Sequence, residues 1–546
     1  MSSAVAQDTI GLGDGSDGAF DLMAGSSSVN TYAAVTAAVS PGDTEVDVGS
    51  VAGLAVGDAA LLWQTQTSSS VTLGAQSTIA LDDGTVGNYD LIRIAGIAGN
   101  TVSFETPIQG TYGATGAQLV RVPEYTTFRV RDGATVTGTA WDGSKGGVIA
   151  FVATGSVTVD GTIDANVLGF RGGNRSVDRC GINADCTCGN DVNLAASAVD
   201  SNCWTGRIGE GLSSANAYGV CGVGNNTTGG GGGGHINGGG AGGGNGGVGS
   251  RGGDAWCSGS DTGGWGGQKV SGSLTDYLTL GGGGGGGQMN NTAAGNGGRG
   301  GGVVVIQGAS LGGATGVIRA NGAAASTSSN DGGGGGGAGG SIAMRFTGAA
   351  DCSGTIAISA NGGNGSDSAA THGDGGGGGG GRILIARASA TGCAPTATQG
   401  GHGGGHSFPT GSTGDGEVGS AGTGGAFGCT DDGDCGGNAP FCNTSTHACL
   451  PCASDNACQT ANAATPFCSA LGACVECTLA TQCDDSIDCT TDACTLNVCS
   501  NVSKAAATAC GGGVCNGSVG APACVECVTN AQCSGGTPVC DGSSNN

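Results

Sequence analysis

The sequence predicts an all-β chain: an N-terminal β-domain, a repetitive β-solenoid-like or sandwich core carrying polyglycine-II segments, and a disulfide-rich, irregular C-terminal tail. Three observations predict it. A strand motif recurs at a period of about 40 residues, glycine runs keep phase with that motif, and 19 of the 27 cysteines fall in the last 118 residues. Fixed periods of this size signal stacked units, each too small to cover its own apolar face.

The composition agrees. With 123 glycines and 4% aromatic residues, little is left to build a large conventional core. Seventeen Lys+Arg against 42 Asp+Glu leave a net charge of −25, which excludes nucleic acid and anionic lipid as partners that need basic patches. No run of 18 apolar residues offers a helical membrane span.

At the start, Ala4-Val5-Ala6 has the small-x-small form of a secretory cleavage site, so residues 1–6 read as a signal-peptide stub. Residues 7–123 read as a small β-domain. Its stretches Thr44–Gln64 and Tyr89–Ile108 alternate apolar and polar residues between Gly, Asp and Asn breaks. Residues 124–427 form the repeat. "GGVIAFVATGSVTVDGTIDAN" from Gly146 returns as "GGVVVIQGASLGGATGVIRANG" from Gly301 and "GGSIAMRFTGAADCSGTIAISANGG" from Gly339. A degenerate copy, "GRILIARASATGCAPTATQGG", starts at Gly381.

The glycine runs Gly281–Gly287, Gly332–Gly337 and Gly375–Gly381 each precede a first strand. Each glycine costs roughly 0.5–1 kcal/mol more to order than alanine, so such runs stay disordered unless the site demands the missing side chain. A threefold extended helix packs closely only where glycine faces the contact, and contact on every side requires glycine throughout. Packed polyglycine-II segments are therefore expected in place of flexible loops.

An insertion at about 174–300 carries Cys180, Cys186, Cys188, Cys203, Cys221 and Cys257, an even six that suggests three bridges of unassigned connectivity. Cys352 and Cys393 each lie ten residues after the first apolar residue of their unit, Ile342 and Ile383. In-register stacking would bring them within disulfide reach.

From residue 428 the tail repeats a four-cysteine unit, including Cys429, Cys435, Cys442, Cys449, Cys452, Cys458, Cys468, Cys474, Cys477 and Cys483. Cys-x2-Cys steps join the units. Zinc is the alternative for Cys449/Cys452 and Cys474/Cys477, but Cys458 and Cys468 lie between them and the export signals favour disulfides. The last unit ends one residue short of a fourth cysteine, so the parent chain is expected to continue past Asn546 and one tail thiol to lack a partner.

The stretches "AQDTIGLGDGSDGAF" and "VPEYTTFRVRDGATVTGTAWDGSKGGVIAF", the glycine-rich strand repeats and the "CVEC" array resemble the large secreted, glycine-rich and cysteine-rich surface proteins of myxobacteria and their relatives. Some of those carry adventurous-gliding-motility names. The resemblance implies export to the cell surface. The expected function is structural or adhesive, with a cell-surface or matrix polysaccharide or protein as partner. A polysaccharide-acting β-solenoid enzyme and a surface- or ice-binding protein are the alternatives. Ordered threonine arrays would mark the latter, and none is legible.

Catalytic motifs do not assemble. "GASLG" around Ser310 lacks the helix a nucleophile elbow requires. His402 and His406 have metal-pair spacing but glycines between them. "GGNGSD" (Gly362–Asp367) stands alone where a calcium β-roll needs tandem copies. The acids of the repeat strands are chiefly Asp160 and Asp164. No cofactor is called for, apart from weak calcium candidates in Asp484, Asp485, Asp488 and Asp492.

Overall fold

The structure is a computed structural model that describes residues 7–69, 71–176, 205–214, 220–234, 237–254, 262–290, 293–328, 330–352, 356–368, 372–387, 389–391, 400–401, 420–424, 432, 435, 438–525 and 528–529. It is almost entirely β and divides into two compact units, residues 1–430 with 443–448, and residues 431–442 with 449–546.

The larger unit is built on rungs. The first runs through β1 (Ala19–Leu22) and β2 (Gly25–Ser28), the second through β3 (Thr127–Val130) and β4 (Ala134–Thr137). The third is β5 (Val148–Val159) with β6 (Thr162–Asp164). The fourth is β7 (Val303–Gly312) with β8 (Val317–Arg319), and the fifth β9 (Ser341–Phe346) with β10 (Ala357–Ser359). β11 (Arg382–Ala386) and β12 (Ser420–Gly424) follow. The first members stack as one parallel sheet, β1-β3-β5-β7-β9-β11-β12, and the second members as another, β2-β4-β6-β8-β10.

The alternation of each strand sends one set of side chains between the two sheets. Phe128, Phe151, Ile306, Met344 and Ile385 meet Val136, Ile163, Ile318 and Ile358 there, all at 2% exposure or less. The rings of Phe20, Phe128 and Phe151 stack along the rungs at 4.7 and 3.8 Å. The opposite set on β5 and β7, including Val148, Val152 and Val303, packs under an antiparallel sheet made from Tyr32–Ala34, Ala117–Val122, Ala59–Gln64, Tyr89–Ala98, Thr101–Phe104 and Glu45–Asp47.

Beyond the strands the chain turns to polyglycine, and each run is packed. In Gly281–Gly287 the N–H groups of residues 281, 284 and 287 donate to Gly301, Gly298 and Gly295. Those of 282 and 285 donate to Gly244 and Ala241, and those of 283 and 286 to Glu210 and Arg207. The carbonyls accept in the same rhythm: 281, 284 and 287 from Phe170, Gly173 and Ser176; 282 and 285 from Ala338 and Gly335; 283 and 286 from Gly230 and Gly233. Every third residue faces the same neighbour, as a threefold helix requires. Six neighbouring segments surround the run, which is hexagonal packing. The segments 207–210, 230–233 and 241–244, all inside the insertion, supply half of them.

No glycine of the three runs has a positive φ, so backbone conformation is not what selects glycine here. Close approach does. A Cβ on Gly282 would sit 1.9 Å from the Thr228 carbonyl oxygen, on Gly335 1.9 Å from that of Ala241, and on Gly375 1.7 Å from that of Gly334. Each glycine of Gly281–Gly287 makes two backbone hydrogen bonds, each contributing roughly 0.5–1.5 kcal/mol net, which offsets its ordering cost.

The smaller unit has little apolar interior and is held by interlocked disulfides. Cys452–Cys468 and Cys458–Cys474 form one crossed pair, Cys477–Cys494 and Cys483–Cys499 the next. Cys435–Cys449, Cys489–Cys515 and Cys510–Cys524 complete the described set. Among the described residues the Cys-x2-Cys neighbours do not share a partner: Cys449 bonds back to Cys435 while Cys452 bonds forward to Cys468. At Cys449/Cys452 and Cys474/Cys477 all four sulfurs are in disulfides.

Candidate functional site

Polar side chains gather at the surface in several places among the described residues, such as Arg121 with Asp17 and Asp58, and two of these places offer groups to a ligand. The first is the loop Asp484–Asp488 of the smaller unit, which connects the 3-10 turn Ala480–Cys483 to the strand Thr490–Thr495. Disulfides from Cys483 and Cys489 pin both ends. Oxygens of Asp484, Asp485 and Asp492 lie within 4.8 Å of one another. Asp484 Oδ1 accepts from the Ser486 amide at 2.7 Å. Asp485 Oδ1 accepts from the Ile487 amide at 2.9 Å and Thr490 Oγ1 at 2.8 Å, and the Thr490 hydroxyl foremost holds that carboxyl below its usual range. Asp492 Oδ1 is buried without a hydrogen-bond partner.

Asp488 does not join the three. Its Oδ2 accepts from the Gly511 amide at 2.9 Å, and its carbonyl accepts from Lys504 Nζ at 2.8 Å. Asp484, Asp488, Asp492 and Lys504 line a cleft of about 520 Å³. An all-oxygen donor set suits a hard cation such as calcium over zinc, with three carboxylates supplying part of the six to eight ligands calcium takes.

The second place is the outer face of β2-β4-β6-β8-β10. Register puts Ser26, Thr135, Thr162, Val317 and Ala357 in one row across the strands. Ser28, Thr137, Asp164, Arg319 and Ser359 make the next. They alternate with the buried Val136, Ile163, Ile318 and Ile358, so they face outward. Neighbours in a row are spaced by the interstrand distance, roughly 4.7–4.9 Å. The short hydroxyl array Ser26-Thr135-Thr162 escapes a sequence reading because its members lie more than 20 residues apart, one from each rung. Asp164 and Arg319 interrupt the second row with an ion pair at 2.7 Å.

Other sequence candidates fall elsewhere. Ser310 sits inside β7, paired with Ser156, with no helix behind it. Asp160 is spent on Arg129 at 2.9 Å and the Ala314 amide at 2.9 Å, the amide first in holding its carboxyl low. Residues 362–367 are part of the glycine lattice: Gly363 donates to Gly337, and Ser366 Oγ accepts from Gly334. Cys221, Cys352 and Cys442 are disulfide-bonded. Cys180, Cys186, Cys188, Cys203, Cys257, Cys393, Cys429, His402 and His406 lie outside the described residues. The equivalence behind the Cys352–Cys393 bridge shifts by one residue. Ile342 pairs with Ile383, an offset of 41, but Ala349 pairs with Ser389, an offset of 40.

No family model matches the chain, and no curated protein does. Among solved structures it is similar to the tailspike protein gp49 of Pseudomonas phage LKA1, at 16% identity over 25% of this chain and 26% of that one, with a TM-score of 0.14. It is also similar to the Gp54 tailspike of Acinetobacter baumannii bacteriophage AP22, solved with A. baumannii capsular saccharide, at 11% identity, 74% and 57% coverage and a TM-score of 0.16. The Pseudomonas phage phi297 tailspike gp61 follows at 9% identity, 71% and 59% coverage and a TM-score of 0.15. The chain spans less than two thirds of the length of each tailspike, and no residue role is carried over from them.

Proposed function

We propose that the protein is an extracellular structural or adhesive protein that holds a cell-surface or matrix polysaccharide against its rung face. The observation that carries the reading is the hexagonal glycine lattice. It spends side faces and backbone groups alike on neighbouring segments, so the segments can shift little relative to one another. Such a body resists shear and proteolysis, and suits a scaffold better than a machine with moving parts. The disulfide-stapled smaller unit supports an oxidising compartment. No helix among the described residues is long and apolar enough to cross a membrane. The resemblance to myxobacterial surface proteins adds gliding or matrix attachment as the setting.

The polysaccharide partner is argued from the flat outer face of β2-β4-β6-β8-β10, where short hydroxyl side chains at regular spacing offer hydrogen bonds along an extended polymer. The test is a glycan array run beside a reducing-sugar assay on the same purified protein. The expected result is retention on an acidic-group-free polysaccharide, since the net charge of −25 disfavours anionic chains, without release of reducing ends. Release of reducing ends would replace adhesion by hydrolysis. No retention on any glycan would leave a protein partner as the reading.

A further inference from the structure

We propose that the first rung, β1 with β2, is a docking surface for a second copy of this chain, whose last parallel strand continues the sheet and extends it head to tail. β1 is hydrogen-bonded to β3 on one side and, among the described residues, to no strand on the other; β2 stands likewise against β4. The free edge of β1 offers backbone donors and acceptors to a further strand of the first sheet.

The interior ends there too. Phe151 and Phe128 are fully buried, while Phe20, the last ring of the same stack, is only half-buried. It stacks on Phe128 at 4.7 Å and 8° and tilts against Tyr125 at 5.2 Å, and its outer face carries no ring. Leu22 beside it is half-buried, and Met23 at the corner between the two strands is 63% exposed. Edges that end in solvent are commonly guarded by charged side chains, proline, a bulge or shortness. β1 and β2 are short, at four residues each, but residues 19–28, "AFDLMAGSSS", carry no lysine, proline or bulge. Their one charge, Asp21, is neutralised by Arg131 through contacts of 2.9 and 2.7 Å.

A second copy is the occupant because the far end of the same sheet is complementary. β12 pairs with β11 on one side and, among the described residues, with no strand on the other. In a parallel sheet the two edges expose opposite sides of the ladder. One copy's β12 therefore meets another's β1 in the parallel sense already used between every pair of rungs. Such a contact is heterologous, and because it continues the stacking direction of the rungs it adds copies end to end and generates an open filament. The net charge of −25 repels copies from one another, which makes the contact stronger as salt screens it.

The test is sedimentation velocity on the full chain over a concentration series at low and high salt. The expected result is a mass that grows with concentration past the dimer, more so at high salt. Ala19→Lys combined with Met23→Lys places charges on two exposed edge positions and should leave only monomer, with an unchanged melting temperature. Ala19→Glu combined with Met23→Glu, which leaves Phe20 on its stack, should act the same way. Wild-type protein that stays monomeric, a dimer that stops growing, or a double variant that associates like wild type would each overturn the proposal. Glycan retention is read separately, so failure of the surface-attachment reading is distinguishable from failure of this one.

Discussion

Alanine in place of Gly335 separates a packed glycine lattice from a flexible one. Gly335 has no positive φ, so alanine meets no backbone strain there. Where the native conformation is compatible, Gly→Ala normally stabilises by roughly 0.4–1 kcal/mol through the unfolded chain. Here a Cβ would lie 1.9 Å from the Ala241 carbonyl oxygen, whereas real Cβ contacts essentially never fall under 3.0 Å. The two segments must part by about 1 Å. Overpacking of that kind costs roughly 1–3 kcal/mol. The parting also stretches the bonds that join these two segments, from the Gly240 amide to the Gly333 carbonyl and from the Gly243 amide to the Gly336 carbonyl, each roughly 1 kcal/mol. The expected loss is about 3–5 kcal/mol in denaturant unfolding, with the sign reversed from the ordinary case. Gly312→Ala is the control, since a Cβ there meets nothing within 4 Å; its expected effect is within about 0.5 kcal/mol. Hydrogen exchange reads the same lattice directly, with protected amides across Gly332–Gly337 and Gly375–Gly381. Equal stabilities for the two alanine variants, or random-coil exchange in those runs, would refute the reasoning.

Three further expectations follow from other parts of the molecule. Burial pushes the carboxyl of Asp90 up to about 6 although the amides of Gln7, Gln109 and Gly110 hydrogen-bond it. The folded state then binds a proton more tightly than the unfolded one, so this group's contribution to stability falls as pH rises from about 4 to about 6, and a carboxyl NMR titration of Asp90 with a midpoint near 4 would contradict it. Phe128→Ala removes the middle ring of the aromatic stack and should cost about 3–5 kcal/mol in chemical denaturation; a loss under about 1 kcal/mol would mean the rungs do not share that core. Reduction should unfold the smaller unit, whose disulfides close loops of 14 to 26 residues, while the amides of Gly281–Gly287 keep their protection in exchange mass spectrometry.

The rungs were legible because apolar strands need neighbours. The copies at Gly146, Gly301 and Gly339 align on β5, β7 and β9, and these pair in parallel as a stack of equal units must. The crossed disulfides were legible in part: cysteine density announced staples, but spacing alone does not choose which sulfur meets which. The glycine runs announced close packing and concealed the partner. A side chain carries shape and polarity that select its neighbour, and a glycine run carries neither. Loop lengths and strand register therefore decided which six segments surround Gly281–Gly287, and that segments of the insertion are among them. The same holds for residues 19–28, a stretch too short to show a repeat signature, which nonetheless pairs with β3 and β4 as the first rung. The hydroxyl rows exist only after stacking, because one residue per rung makes a row only when the backbone ladder sets the rungs side by side.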